Sequence, residues 1–214
     1  MSSGRRPSGA PRTTRAADVA DRAEATRAAL ISAARRLFVA NGYHATGTEE
    51  IVAVSGVGTR GALYHHFKDK KALFQAVFEQ VQEDMLANAA TAERPDDALG
   101  RLRAGLSGFL DASLNAEVQR ILLIDGPAVL GWRTWRAMEE RYGLGAIRAF
   151  LKAAVAEKTL PDRPVDALAH ILLAAIAEAA LFIANADDPA AARQETAAAM
   201  DRLLSGLTYQ KEND

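Results

Sequence analysis

From about residue 22 the apolar positions of this chain recur at helical spacing almost to its end, with no sustained two-residue alternation. Leu30, Ala34, Leu37 and Phe38 lie at i, i+4, i+7 and i+8, and Asn41-Gly42 offers the left-handed stop that ends many helices. A short helix is expected from about Thr48 to Ser55. Its entry is either a capping box of Thr46 and Glu49 or a cap at Gly47. A third short helix runs from about Thr59 to His66, and a long fourth carries Phe74, Phe78, Val81 and Met85 on one stripe. Pro95-Asp96-Asp97 starts a fifth, with Leu99, Leu102, Leu106, Phe109 and Leu110 on one face. Asp125-Gly126-Pro127 reads as a break and restart that sets Trp135, Met138 and Tyr142 on one side. Gly143 and Gly145 weaken the helix before Ile147, Phe150, Leu151, Ala154 and Val155 resume the pattern. Pro161 and Pro164 bound a linker. A helix with Leu168, Ile171, Leu172, Ala175, Ala179, Phe182 and Ile183 follows, and Asp188-Pro189 opens the last, with Thr196, Met200, Leu203 and Leu207 in line. The expected fold is all-α with about nine helices.

Composition narrows this little: 214 residues, 49% hydrophobic and 25% charged, suit a globular chain of one or two domains. The absence of cysteine excludes disulfides, thiolate metal sites and cysteine nucleophiles, and fits a cytoplasmic protein. No apolar run follows Met1, so no secretory signal is expected. The longest apolar stretch, Ile171 to Ala177, lies between His170 and Glu178 and is far short of the ~20 residues of a membrane span. Charge becomes informative once divided. Residues 1–71 hold twelve Lys/Arg against six Asp/Glu, while the remainder holds fourteen against twenty-one. A basic head on an acidic body suits a polyanion-binding module on a scaffold, although uneven solvated helix faces give the same count.

The expected organisation is therefore a disordered basic arm over 1–21, rich in Ser, Gly, Pro, Thr and Arg, then a basic first domain over 22–71, an acidic second domain over 72–208 and a tail over 209–214.

Two motifs compete for one segment. Gly56-Val57-Gly58-Thr59-Arg60-Gly61 spells GxGxxG after the apolar run Ile51–Val54, which would suggest a dinucleotide-dependent oxidoreductase. That chemistry needs a strand before the glycines, a long helix after them and an acid about 20 residues on. Here Glu49-Glu50 open a helix, the helix that follows is about two turns long, and Glu79 sits on an amphipathic helix with no second strand. The competing reading is a helix-turn-helix over about 47–66, whose second helix enters the major groove. Thr59 and Arg60 begin that helix, where an Arg can pair with guanine O6 and N7. Gly61 is small enough for close approach, and Tyr64 and His65 add donors. Lys70 at the next helix start could share a phosphate with free backbone N–H groups. Leu63 and Phe67 face the core, and Tyr64 lies either on DNA or at the domain edge. His65-His66 cannot chelate one metal, because adjacent helix positions diverge by about 100°.

The segments Thr26-Arg27 to Leu37-Phe38, Asn41-Gly42-Tyr43, Thr46 to Val52, Gly56-Val57 and above all GALYHHFKDKKALF (Gly61 to Phe74) resemble the DNA-binding domain of the TetR family of repressors. The likeness covers about residues 24–80 and keeps both order and spacing. One departure is visible: between Val57 and Tyr64 the chain has one residue more than the usual pattern, with Gly58-Thr59 where one small polar residue is common. The resemblance implies DNA contacts from Arg27, Thr48, Thr59, Arg60, Gly61, Tyr64, His65 and Lys70. It also implies a homodimer joined through the last two helices, a palindromic double-stranded operator, and an unknown small apolar or amphipathic effector that releases the repressor. Arg120 to Trp132 is similar to one branch of the family.

In the C-terminal half the candidates for a ligand pocket are Leu102, Leu106, Phe109, Trp132, Trp135, Met138 and Tyr142, with His170 and Glu178 as polar contacts. Ordinary helix packing explains each of them equally well, and Glu178 is the candidate best placed to be an inward polar group. No nucleophile elbow, paired-carboxylate site or metal-ligand set appears, so neither an enzyme nor a cofactor or metal is expected, and no membrane partner. A DNA-binding protein without an effector is the nearer alternative.

Overall fold

The computed structural model describes residues 12–91 and 95–208, and among them every regular element is a helix. In chain order these are α1 (Arg12–Asn41), α2 (Thr48–Ser55), α3 (Arg60–His66), α4 (Lys70–Thr91) and α5 (Ala98–Ala112). A π-helical stretch, Val118–Asp125, runs directly into α6 (Gly126–Leu130). Then α7 (Trp132–Glu139), a π turn (Glu140–Leu144) and α8 (Gly145–Ala156) form one continuous rod, followed by α9 (Val165–Ala184) and α10 (Pro189–Thr208). With the π stretches joined to their neighbours, nine rods result among the described residues, as the apolar periodicity predicts.

The elements depart from expectation in three places. Helix α1 begins at Arg12, so the portion 12–21 of the expected disordered arm is helical; the portion 1–11 and the tail 209–214 lie outside the described residues. From Arg12 to Ala29 the chain has no Gly or Pro and is rich in Ala and Arg, which are strong helix formers. Those turns have an exposed Val19 and little apolar content, so they read as a polar arm. At the second entry, Gly47 and not Thr46 is the N-cap of α2. The buried Thr46 hydroxyl turns back to the carbonyls of Gly42 (2.8 Å) and Leu37 (3.2 Å), tying the α1–α2 turn together. At the third, Asp125-Gly126-Pro127 does not break the chain. Asp125 and Gly126 are both right-handed helical, and the break comes at Gly131, φ 81°. A proline inside a helix lacks one N–H and presses on the preceding turn. Here it follows the π stretch within the first turn of α6, where the helical hydrogen-bond register is already interrupted.

The expected caps at Asp97 and Asp188 are present. Asp97 accepts from Gly100 N at 2.8 Å, and Asp188 from Ala190 N and Ala191 N at 3.1 and 3.0 Å.

Two cores organise these rods. The first gathers Leu30, Ala34 and Phe38 of α1, Ile51 of α2, Leu63 of α3 and Phe74, Val77, Phe78 and Val81 of α4. It does not stop at Lys71: Val118, Ile121 and Leu122 of the π stretch, Leu130 and Met138 join it. The second gathers Leu99, Leu102, Leu106 and Leu110 of α5 with Ile147, Leu151, Leu172, Ile176, Met200 and Leu204. Helix α9 is 20 residues long with a mean hydropathy of 2.2 over its most apolar window, so as a helix it is long and apolar enough to cross a membrane. One face, from Ala169 to Ile183, lies in the second core, whereas Ile171 and Phe182 on another are 64% and 56% exposed.

Gly126 marks a close join between the two halves. A Cβ there would lie 2.8 Å from the Phe78 ring and 3.0 Å from the Ile121 carbonyl oxygen. Gly126→Ala should therefore overpack the junction and lower stability by about 1–3 kcal/mol, read as a reduced midpoint in urea denaturation; an unchanged midpoint would show the contact to be slack.

Candidate nucleic-acid interface

Helices α2 and α3 meet through the turn Gly56–Thr59. Gly56 ends α2 in the left-handed region (φ 71°) and Gly58 repeats that conformation (φ 88°). Two left-handed glycines absorb the additional residue of this turn, so Thr59 still falls at the N-cap of α3 and its hydroxyl accepts from Ala62 N at 3.3 Å. The glycines of GxGxxG thus join two helices, and no strand lies beside them among the described residues. The dinucleotide reading has no scaffold here.

Helix α3 is held down by one side. Leu63 is fully buried, and Phe67 just beyond the helix is nearly so. Arg60, Gly61, Tyr64 and His65 face outward, with Tyr64 45% exposed on the open surface and not packed at the domain edge. Thr48, first residue of α2, comes beside this row. The Arg60 guanidinium and then the Thr48 hydroxyl draw the Tyr64 hydroxyl below its ordinary pKa. Arg60 also lies over the Tyr64 ring, 5.9 Å from its centroid, and pairs with Glu49 at 2.8 Å. Glu49 and Arg60 are both largely exposed, so this pair is weak and can be exchanged for another partner.

Arg27 stands at the edge of the row, its guanidinium 5.5 Å from the Phe67 ring centroid and 3.8 Å from Glu24. Lys70 is engaged differently from the sequence expectation. Its ammonium donates to the carbonyls of Tyr43 and Thr46, both at 2.9 Å, and sits 4.2 Å from the Tyr43 ring centroid. Partial burial lowers its pKa. Lys70 is therefore first a tie between α4 and the α1–α2 turn, with one N–H left over. Lys68 and Lys71, which motif reading passed over, are the exposed cations beside it.

The nine sequence-chosen pocket residues do not converge. Leu102 and Leu106 are buried in the second core with Phe109 against them, while Met138 and Trp135 belong to the first. Trp132 is 67% exposed, and Tyr142 reaches Glu83 at 3.5 Å. His170 is exposed on α9 with Nδ1 3.3 Å from an Arg136 nitrogen. Glu178, chosen as the inward polar group, is exposed on the same outer stripe as Ile171 and Phe182. An apolar helix reads as buried all round from composition alone, and only packing tells which side is open.

Several residues that matter at this junction were not singled out by the sequence. Asp125, 7% exposed, accepts from the Tyr43 backbone N at 2.9 Å and pairs with Arg120 at 3.4 Å. Arg35 on α1 bridges Glu117 (2.6 Å) and Asp84 (2.5 Å), beside an open cleft of about 530 Å³. Apart from Arg120 and Asp125, these partners lie 49 to 82 residues apart, and no local signal announces them. Glu139 on α7 is 9% exposed, and burial lifts its carboxyl to about 6 despite the opposing charge of Arg136. Its i,i+4 spacing from Trp135 was the available signal.

Two family models match successive parts of the chain. Residues 30–77 match the family model of tetR-family bacterial regulatory proteins, and 99–207 match a tetracyclin repressor-like C-terminal domain. The TetC protein of transposon Tn10 in Escherichia coli is 28% identical over 149 residues, 70% of this chain and 75% of TetC. The transcriptional regulator TtgR of Pseudomonas putida is 39% identical over 104 residues, so this chain spans about half of it. A crystallised TetR-family transcriptional regulator from Pectobacterium atrosepticum is 33% identical, with a TM-score of 0.76 over 90% of this chain and 98% of that one.

The raised Glu139 carboxyl has a consequence for stability. Below about pH 4.5 it is neutral in both folded and unfolded chains and imposes no penalty. Between about 4.5 and 6 the folded chain keeps a proton that the unfolded chain releases, so stability falls as pH rises. Above that window the loss is complete, at about 2 kcal/mol. Glu139→Gln, neutral at every pH, should melt about 4–8 °C above the parent at pH 8 and level with it at pH 4. Equal melting at both would show that the carboxylate is not desolvated.

Proposed function

The chain belongs to the tetR family of bacterial regulatory proteins, whose members are DNA-binding transcriptional regulators acting as dimers with small-molecule effectors; on that premise we propose a homodimeric repressor released from a palindromic operator by a ligand. The observation that carries the DNA reading is the outward row on α3, where Arg60, Tyr64 and His65 project from a helix anchored only through Leu63 and Phe67. Such a helix end fits a major groove, with Thr59 and Gly61 close to the groove wall. Arg60 exchanges Glu49 for a guanine edge, a small loss for a bidentate gain. Arg27, Thr48 and the remaining N–H of Lys70 approach the phosphates.

The dimer reading rests on α9 and α10. Ile171, Phe182 and Leu203 are 64%, 56% and 60% exposed, a large apolar surface for a chain in water. Small residues beside them, such as Ala174, allow close helix approach. A partner copy packed here covers the outer stripe of α9 and accounts for its high hydropathy with no membrane. The protein thus acts on DNA in the cytoplasm. Two heads related by a twofold axis read half-sites about 34–36 Å apart or a multiple of it.

Three measurements check the proposal. Duplexes selected from a random pool should share a palindrome, and Arg60→Ala should weaken binding to it by about 1–3 kcal/mol and relax preference at one position. Lys70→Ala should weaken all duplexes alike, lower the salt slope by about one and also lower the melting temperature, because the α1–α2 turn loses its tie. Phe182→Glu should give a monomeric mass in solution at micromolar concentration and abolish operator binding. A monomeric parent, or unchanged DNA binding by both head variants, would overturn the assignment.

A further inference from the structure

Two buried polar atoms on α7 have no hydrogen-bonding partner among the described residues: Trp135 Nε1 and Glu139 Oε2. One is a donor and the other an acceptor, and their i,i+4 spacing puts them on one face of the helix. Arg136, the charge acting on Glu139, is turned away to Glu140 (4.0 Å) and His170 (3.3 Å). A buried carboxylate oxygen without a hydrogen bond is expensive, and native proteins rarely keep one without a use. Burial leaves this carboxyl at about 6, so it is mostly ionised at neutral pH. The helix changes to a π turn at the very next residue, Glu140, and such insertions concentrate at functional sites. The indole rings of Trp132 and Trp135 stand 5.3 Å apart at 43°, and Trp132 is 67% exposed, so the aromatic pair extends from the buried Trp135 Nε1 to the surface.

We propose that Trp135 and Glu139 are the polar end of the effector site, and that the effector is a small protonated amine carried on an aromatic body. This rests on the effector reading above and names its ligand class. The ammonium donates to the Glu139 carboxylate, which cancels the unpaired charge. The tryptophan rings take the aromatic body and add cation–π attraction. Trp135 Nε1–H donates to an oxygen when the ligand carries one beside the amine. An anionic ligand is excluded by Glu139. A metal ion is a poor fit, because no group of three His, Cys, Asp or Glu suited to holding one occurs among the described residues.

Trp132 and Trp135 are the only tryptophans in the chain, so intrinsic fluorescence of the full-length protein reports directly on this site. Phenethylamine, 2-phenylethanol and phenylacetate present one aromatic body with a cationic, neutral or anionic head. At about pH 7.5, where the amine is charged and the carboxyl mostly ionised, phenethylamine should bind saturably and about tenfold or more tighter than the alcohol. Phenylacetate should not bind. Glu139→Gln, checked for folding by its melting curve, should lose at least about tenfold for the amine and leave the alcohol within about threefold. Trp135→Phe, read through Trp132, should weaken 2-amino-1-phenylethanol while leaving phenethylamine unchanged. Equal binding of amine and alcohol, amine binding unaffected by Glu139→Gln, or no amine binding at all would overturn the proposal. Operator release is scored separately. A neutral compound that releases DNA while no amine binds sinks the amine site and spares the effector reading. Amines that bind with the stated preference but leave the operator complex intact confirm the site and remove its effector role.

Discussion

The ring of Phe78 against the backbone of Gly126 is the contact on which the arrangement of this molecule turns. Phe78 lies on α4, one turn beyond Phe74, and Phe74 closes the head by edge contacts with Phe38 (5.4 Å) and Tyr43 (5.2 Å). A single helix therefore carries consecutive aromatic rings, one locked into the DNA-reading head and the next into the body. Because interiors are close-packed, α4 cannot shift at one ring without disturbing the other. The absence of a side chain at Gly126 is what lets the body approach so closely.

Polar ties at the same junction make that mechanical link directional. Asp125 holds the Tyr43 amide, Lys70 holds the carbonyls of Tyr43 and Thr46, and Arg35 joins α1 to Glu117 and Asp84. Asp125 and Glu117 flank the π stretch, whose irregular turns offer an alternative hydrogen-bond register at low cost. The α1–α2 turn, which leads into the helix beside the recognition row, is thus gripped from the body and from α4 at once. The π stretch is thus joined to the head both by a hydrogen bond, Asp125 to Tyr43, and by the packing of Val118, Ile121 and Leu122 in the first core.

The second half of the molecule distributes its apolar surface between a core and an outer face. Helix α9 has Leu172, Ile176 and Ile183 inside and Ile171 and Phe182 outside. Glu178 on that outer stripe is a polar residue in a surface that a partner copy would cover. An interior carboxyl of this half sits instead on α7, at Glu139, where burial raises its pKa.

Helical period, the caps at Asp97 and Asp188, and the head motif were all legible in the chain, because each depends on residues within one or two turns of one another. So was the exposure of Arg60 and His65, which follows once Leu63 and Phe67 are assigned to the core. The open state of Tyr64, the engagement of Lys70 and the cap at Gly47 were not, since each is decided by a neighbour the sequence cannot place. The same holds for Asp125, read locally as part of a break and folded into a tie to Tyr43, 82 residues away. The pocket candidates spread over two cores and the surface, because composition counts apolar side chains without saying which face of a helix meets another. The sequence by itself determined most of the helical segments, the first turns of α1 and the run through Asp125-Gly126-Pro127 excepted, and which end carries the helix-turn-helix. Only the tertiary structure decided which polar groups are satisfied, which are buried without a partner, and how the head is tied to the body. Those properties arise from pairings between distant segments, and local spacing carries no record of them.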